Sequence, residues 1–317
     1  MKTSGLFVLC LLSSVTFAQN AQNEIDAHLT AARNAAGFDF TGTLARLCVA
    51  PGFTTGIRDA APGKPPARET WFTEPAKVFD NLYFVGSKLH SSWALTTSDG
   101  IILIDTLYTY NSEEEIVGGL KKLGLDPAKV KYVIITHAHG DHVGGAKLMQ
   151  DRFKSHIVMG GPDWDSIEKS VNGYPEGKPK RDIVADDGQK LTLGDTTVTL
   201  YITPGHTPGT ISSVFPVKDN GTPHLAALWG GAGLNADRES VQTYIRSAQR
   251  FSGIVKQAGA DIILANHTDW DRSKINLPML AKRAAGSPNP YIVGNAKVLN
   301  FLKVAEECAT ARVGGAN

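Results

Sequence analysis

The chain has little of several things. Three of its 317 residues are cysteine, and Lys and Arg (32) so nearly match Asp and Glu (31) that neither sign of charge prevails. A balanced surface has neither the basic face that a nucleic acid needs nor the polybasic stretch that an anionic membrane surface attracts. The apolar run at the N-terminus, Leu6 to Leu12, is far short of the about 20 residues that cross a bilayer. There is no low-complexity tract, and 42% hydrophobic with 20% charged residues is ordinary for a soluble globular protein. Nor does any Ser-His-Asp arrangement stand out to supply a serine or cysteine nucleophile. What is present is length: the chain can bury a full core as one large domain or two small ones.

Met1-Lys2-Thr3, the apolar core and the small-residue ending Thr16-Phe17-Ala18 have the parts of a secretory signal peptide, so residues 1–18 are expected to be removed. Cys10 lies in that stretch, but Leu9 before it is too bulky for a lipoprotein cleavage site. A soluble periplasmic or secreted protein is expected. Export leaves Cys48 and Cys308 in an oxidising compartment, where they either pair or stay as two buried thiols. Residues 19–75 read as an N-terminal extension, helical over Asn23 to Ala36 and irregular over the Pro- and Gly-rich Pro51 to Pro66, and residues 76–317 as the main domain.

Histidine carries the chemical signal. The apolar run Val133-Ile134-Ile135 leads straight into Thr136-His137-Ala138-His139-Gly140-Asp141-His142, which places three of the chain's nine histidines and one carboxylate within six residues. A β-branched run reads as a buried strand, so the cluster sits at a strand end. Neutral imidazole and carboxylate are ligands that zinc favours. The placement recurs twice. An alternating strand ends in Pro204-Gly205-His206-Thr207-Pro208-Gly209, and the buried strand Asp261 to Ala265 is followed by Asn266-His267-Thr268. Asp105 closes the strand Ile101 to Ile104 and needs a partner, which an imidazole N–H beside a metal would provide.

The remaining pattern is of short strands and amphipathic helices. Val78 to Gly86, Ser91 to Thr97 and Ile101 to Leu107 read as hairpins. Ser112 to Leu123 reads as a helix capped by Ser112, which makes the strands on either side of it parallel. Asp163 to Arg181 reads as an irregular surface segment or a lid. Ile211 to Val217 pairs with His224 to Trp229, and Ser240 to Gln257 and Asn295 to Arg312 are helices. His28, His90, His156 and His224 lack the strand-end setting and read as ordinary, although His90 opens a strand.

With three strand-end sites in this order, residues 75–317 resemble the metallo-β-lactamase superfamily. The resemblance implies an α+β fold, a four-layer αβ/βα sandwich, with two zinc ions at one edge of the facing sheets. His137, His139 and His206 would hold the first zinc, and Asp141, His142 and His267 the second; Asp105 and Thr136 would support them from behind. Diiron members carry a glutamate where this chain has His139, so a redox role is not expected. The bridging aspartate of glyoxalase II and the acyl-homoserine lactonases, and the zinc-binding cysteine of another subclass, are absent from Leu228-Trp229-Gly230-Gly231. The pattern is similar to the third subclass of class B metallo-β-lactamases, with Gly231, Ala232, Gly233 and Leu234 where known members carry substrate-contacting serines and a tyrosine. The implied function is hydrolysis of a small molecule, a β-lactam, by zinc-bound hydroxide, with Asp141 orienting the nucleophile and passing its proton. A lactone or ester hydrolase with the same metals, and a metal-binding scaffold without turnover, are the alternatives.

Overall fold

The structure is a computed structural model that describes residues 6–49, 65–171, 174 and 176–314, with side chains from residue 19 onward. Seven strands form the first sheet in sequence order: β1 (Ala76–Lys77), β2 (Leu82–Phe84), β3 (Trp93–Thr97), β4 (Gly100–Ile104), β5 (Val130–Ile134), β6 (His156–Gly160) and β7 (Ile183–Ala185). The second contains β8 (Lys190–Leu193), β9 (Thr196–Ile202), β10 (Ile211–Asp219), β11 (Thr222–Trp229) and β12 (Ile262–Ala265), in the order β12-β11-β10-β9-β8. The hairpins expected from Val78 to Leu107 are antiparallel pairs, and β4 to β7 run parallel.

Strand periodicity sets the layers. Along β4, Ile102 and Ile104 join the core between the sheets with Phe84, Trp93, Leu200, Phe215 and Leu228, while Ile101 and Leu103 face the other way. A strand buried on both faces must be apolar throughout, which explains the run Ile101-Ile102-Leu103-Ile104. The outer face of the first sheet is covered by helices α4 (Thr109–Ser112), α5 (Gly119–Lys122), α6 (Gly140–Val143), α7 (Ala146–Phe153) and α8 (Gly161–Lys169). The second sheet is covered by α9 (Arg238–Ala258) and α11 (Asn295–Gly314), onto which α1 (Leu6–Ala36) and α2 (Thr41–Cys48) pack. Helix α3 (Arg68–Trp71) precedes β1, and α10 (Ser273–Ala281) follows β12. The result is the four-layer sandwich.

Several local expectations are revised. The helix expected at Ser112 begins at Thr109 and passes through a wider turn over Glu113–Gly118 into α5. Ser112 is inside it rather than capping it, because its Oγ donates back to the carbonyls of Thr106 and Tyr108, both at 2.6 Å. The expected lid begins as helix α8, started by Pro162 and held down by buried Trp164, whose Nε1 donates to Ile183 O at 3.0 Å. Most of Pro51 to Pro66 lies outside the described residues. Helix α1 runs unbroken from Leu6, and among the described residues no helix is long and apolar enough to cross a membrane. Cys48 and Cys308 are bonded, joining α2 to α11 across 260 residues of sequence.

Candidate metal centre

Strands β4, β5, β9, β11 and β12 all end at one edge of the sandwich, and their following residues build one site. Two hydrogen bonds seal the sheets there: Ile211 N donates to Thr136 O at 2.8 Å, and Asn266 Nδ2 donates to Thr136 Oγ1 at 3.3 Å. Gly230 lies so close to the neighbouring strand β10 that a Cβ on it would stand 1.8 Å from Ile211 O. That crowding accounts for the absence of a side-chain ligand from the end of β11.

His137 and His206 are fixed by backbone carbonyls. His137 Nδ1 lies 3.1 Å from Gly230 O and His206 Nδ1 lies 3.0 Å from Gly233 O. A carbonyl only accepts, so both Nδ1 atoms carry the proton and both Nε2 atoms keep a lone pair. Those two Nε2 atoms face each other at 3.1 Å, and His139 Nδ1 is 3.1 Å from His206 Nε2. Neutral rings so arranged repel. A proton between them is disfavoured as well: burial, then neighbouring imidazoles, hold His137 well below its usual value and push His206 down to about 3. A metal cation removes the conflict. Ligands on arms of roughly 2.05 Å stand about 3.3 Å apart around a tetrahedral zinc, close to these separations.

The second group surrounds Asp141. Its Oδ2 is 3.1 Å from His142 Nε2, 3.4 Å from His90 Nε2 and 3.5 Å from His267 Nε2. His142 Nδ1 donates to Asp105 Oδ2 at 2.9 Å, leaving Nε2 fully buried with no hydrogen-bond partner. An orphaned ring nitrogen aimed at a carboxylate is what a metal ligand looks like without its ion. Burial opposes charge on Asp141, but the imidazoles around it hold the carboxyl well below the usual range. Burial likewise opposes protonation of His142, but Asp141 and Asp105 lift it to about 10, so a bound cation competes with that proton for Nε2. Two groups of donor atoms each converge within 4.8 Å: His137, His139 and His206, and His90, Asp141 and His267.

His137, His139, Asp141, His142, His206 and His267 lie at this edge, with Asp105 and Thr136 behind them. Asp105 accepts from Thr136 N at 2.7 Å and from Thr136 Oγ1 at 2.8 Å. Two participants escaped sequence reading. His90 arrives through a β-bridge to His267, and only its place before a strand marked it. Asp163, read as the start of a lid, accepts from Ala138 N, Thr207 Oγ1 and Gly209 N, each at 2.8 Å, and so ties the two loops of the first site together. The other histidines are ordinary: His28, His156 and His224 pair with Glu307, Asp182 and Asp261. The segment Gly231 to Leu234 serves His206 through the Gly233 carbonyl, and Asn235 Nδ2 donates to the carbonyls of Gly205 and His206 at 3.0 and 2.9 Å.

A four-layer sandwich with two adjoining groups of imidazole and carboxylate donors at the shared edge of its sheets defines a metallohydrolase. The family model of the metallo-β-lactamase superfamily matches residues 85–219. Among solved structures the chain is similar to BJP-1, a subclass B3 metallo-β-lactamase of Bradyrhizobium japonicum, at 27% identity over 74% of this chain and 91% of that one, with a TM-score of 0.64. Native FEZ-1 metallo-β-lactamase from Legionella gormanii compares at 25% identity, 74% and 94% coverage, and a TM-score of 0.63. It is also 29% identical over 183 residues to the N-acyl homoserine lactonase AttM of Azorhizobium caulinodans, spanning 51% of this chain and 68% of that protein.

Proposed function

We propose that the chain is an exported hydrolase with two zinc ions that opens β-lactam rings, acting in the periplasm or outside the cell after loss of residues 1–18. The observation that carries the reading is the pair of facing lone pairs on His137 and His206 beside the Asp141 group, which calls for cations. The likeness to BJP-1 and FEZ-1 supports the choice of substrate.

Bound zinc would supply a water with a pKa lowered toward about 7 and a Lewis acid for the carbonyl. The chain's own groups do the rest. Gly230 O and Gly233 O fix the tautomers of His137 and His206 so that each presents an Nε2 lone pair, and Asp105 takes the Nδ1 proton of His142 so that its Nε2 is the atom a cation would claim. Asp141, kept anionic, would orient the attacking oxygen by accepting its hydrogen bond. Tyr108, edge-on to His90 at 5.2 Å and stacked on Tyr110, walls one side.

Hydrolysis of lactones or other esters by the same residues is the second reading. It is favoured by the lack of serine or tyrosine at Gly231 to Leu234 and by the likeness to a lactonase. Metal analysis of residues 19–317, with β-lactam and lactone panels run with and without chelator, separates the two. Intact penicillins, cephalosporins and carbapenems beside chelator-sensitive lactone turnover would sink the first, and the converse the second.

A further inference from the structure

We propose that His90 is a fourth protein donor to the second metal, so that this ion is held by His90, Asp141, His142 and His267. The inference rests on the two-metal reading above and adds a ligand from outside the three strand-end motifs.

Distance decides between a hydrogen bond and a shared ion. A charge-assisted bond from an imidazole to a carboxylate is about 2.7–2.9 Å long. His90 Nε2 stands 3.4 Å from Asp141 Oδ2, too far for a good bond of that kind and between the 3.1 Å of His142 and the 3.5 Å of His267. The value matches the about 3.3 Å edge between ligands of one tetrahedral zinc. His90 is thus placed with respect to Asp141 as the two expected imidazoles are.

The backbone presents it as firmly as it presents His267. His90 forms an antiparallel bridge with His267, flanked by Ser91 N donating to Asn266 O at 2.9 Å and Thr268 N donating to Leu89 O at 3.0 Å. On its other side, Ser87 N donates to His90 O at 2.8 Å and His90 N donates to Ser87 Oγ at 3.1 Å. Gly86 lies beneath, where a Cβ would come within 2.5 Å of His90 O. The rings of His90 and His267 emerge side by side with centroids 4.9 Å apart, and the Tyr108 ring meets that of His90 edge-on. An ordinary surface histidine has no need of a backbone so tightly fixed beside a carboxylate.

Four protein donors fill a tetrahedral zinc in the manner of structural sites, whereas three imidazoles leave a position open as in catalytic ones. With His90 added, a position open to water would belong to the ion on His137, His139 and His206, and the ion beside Asp141 would be the more tightly held of the two.

Competition of the full chain against a chromophoric chelator, with zinc and with cobalt, tests this on wild type, His90→Ala and His90→Asn. Asparagine keeps a polar side chain at this position while being a poor ligand. Both variants are expected to weaken one of two bound ions by more than the roughly 10–100-fold that loss of an outer partner costs, and to leave the other unchanged. Zinc X-ray absorption of the wild type, which needs no variant to fold, should count six imidazoles over two ions. Five imidazoles, or wild-type affinity in the asparagine variant, would overturn the proposal while leaving the two-metal reading intact. Fewer than two ions on the wild type would overturn both.

Discussion

Asp105 reaches His142 Nδ1 across 2.9 Å from a backbone in the left-handed region, with φ at 62°. The same carboxylate holds the amide and hydroxyl of Thr136, and its carbonyl accepts from Ser92 Oγ at 2.8 Å. One buried side chain therefore ends strand β4, anchors the loop of His137 and sets the tautomer of His142. Asp105→Asn keeps the size and tolerates the left-handed backbone. Its amide, turned to His142 Nδ1, would drive the ring proton onto Nε2. The expected result is a roughly 10–100-fold weaker second metal with the first little changed, read by metal competition. Equal affinities in variant and wild type would remove this role.

Much of this edge was legible because strand periodicity and histidine placement agree. Val133-Ile134-Ile135 before His137, and Ile262–Ala265 before His267, are local patterns that name both the strand and the residue exposed at its end. His90 was not legible, since its role depends on a bridge between residues 177 positions apart rather than on any spacing near it. Asp163 was hidden for a different reason. The Pro- and Gly-containing stretch around it suggested a loop, whereas Pro162 starts a helix that aims the carboxylate at Ala138 and Gly209. Ser112 misled because a hydroxyl that caps one helix can return to the preceding turn in another.

Asp163 gives a second prediction. It accepts three bonds, from Ala138 N between two first-site histidines and from Thr207 Oγ1 and Gly209 N beside His206. An asparagine there must turn its amide hydrogens toward at least one of those donors, leaving a buried clash. Asp163→Asn is expected to cost about 1–3 kcal/mol of stability. It should also weaken the first metal more than the second. Urea unfolding with parallel metal titration checks both, and loss confined to the Asp141 site would refute the assignment.

Glu115 predicts a pH dependence away from the metals. It is buried, with Thr73 N donating to Oε1 at 3.1 Å, and burial raises it to about 8 against Arg68 nearby and with Glu114 and Glu74 adding to the rise. Its folded value lies above the unfolded one, so the folded chain binds more protons between about 4.5 and 8 and loses stability as pH rises through that window. Glu115→Gln keeps the acceptor for Thr73 and removes the charge. The variant should melt higher than wild type at pH 8, by an amount worth about 1–3 kcal/mol, and the two should converge near pH 4. Identical melting curves at pH 8 would show that Glu115 ionises without cost.

The disulfide links stability to the site. Cys48 and Cys308 bond α2 to α11, and α2 in turn presses on the loop that follows His267. Thr43 Oγ1 donates to Trp270 O at 2.6 Å, Arg46 pairs with Asp269 at 2.6 Å, and Gly42 sits so close that a Cβ would lie 1.9 Å from Asp269 O. Replacing both cysteines by serine should cost about 2–5 kcal/mol, because the bond closes a very long loop in the unfolded chain. With α2 released, the His267 loop gains freedom, so the second metal is expected to be lost to chelator before the first, and sooner than in wild type. Thermal melts of the double variant and of the reduced wild type should agree with each other and lie below the oxidised protein. A double variant that melts with the oxidised wild type and keeps its metals would show that the hydrogen bonds of α2 hold the loop without the covalent link.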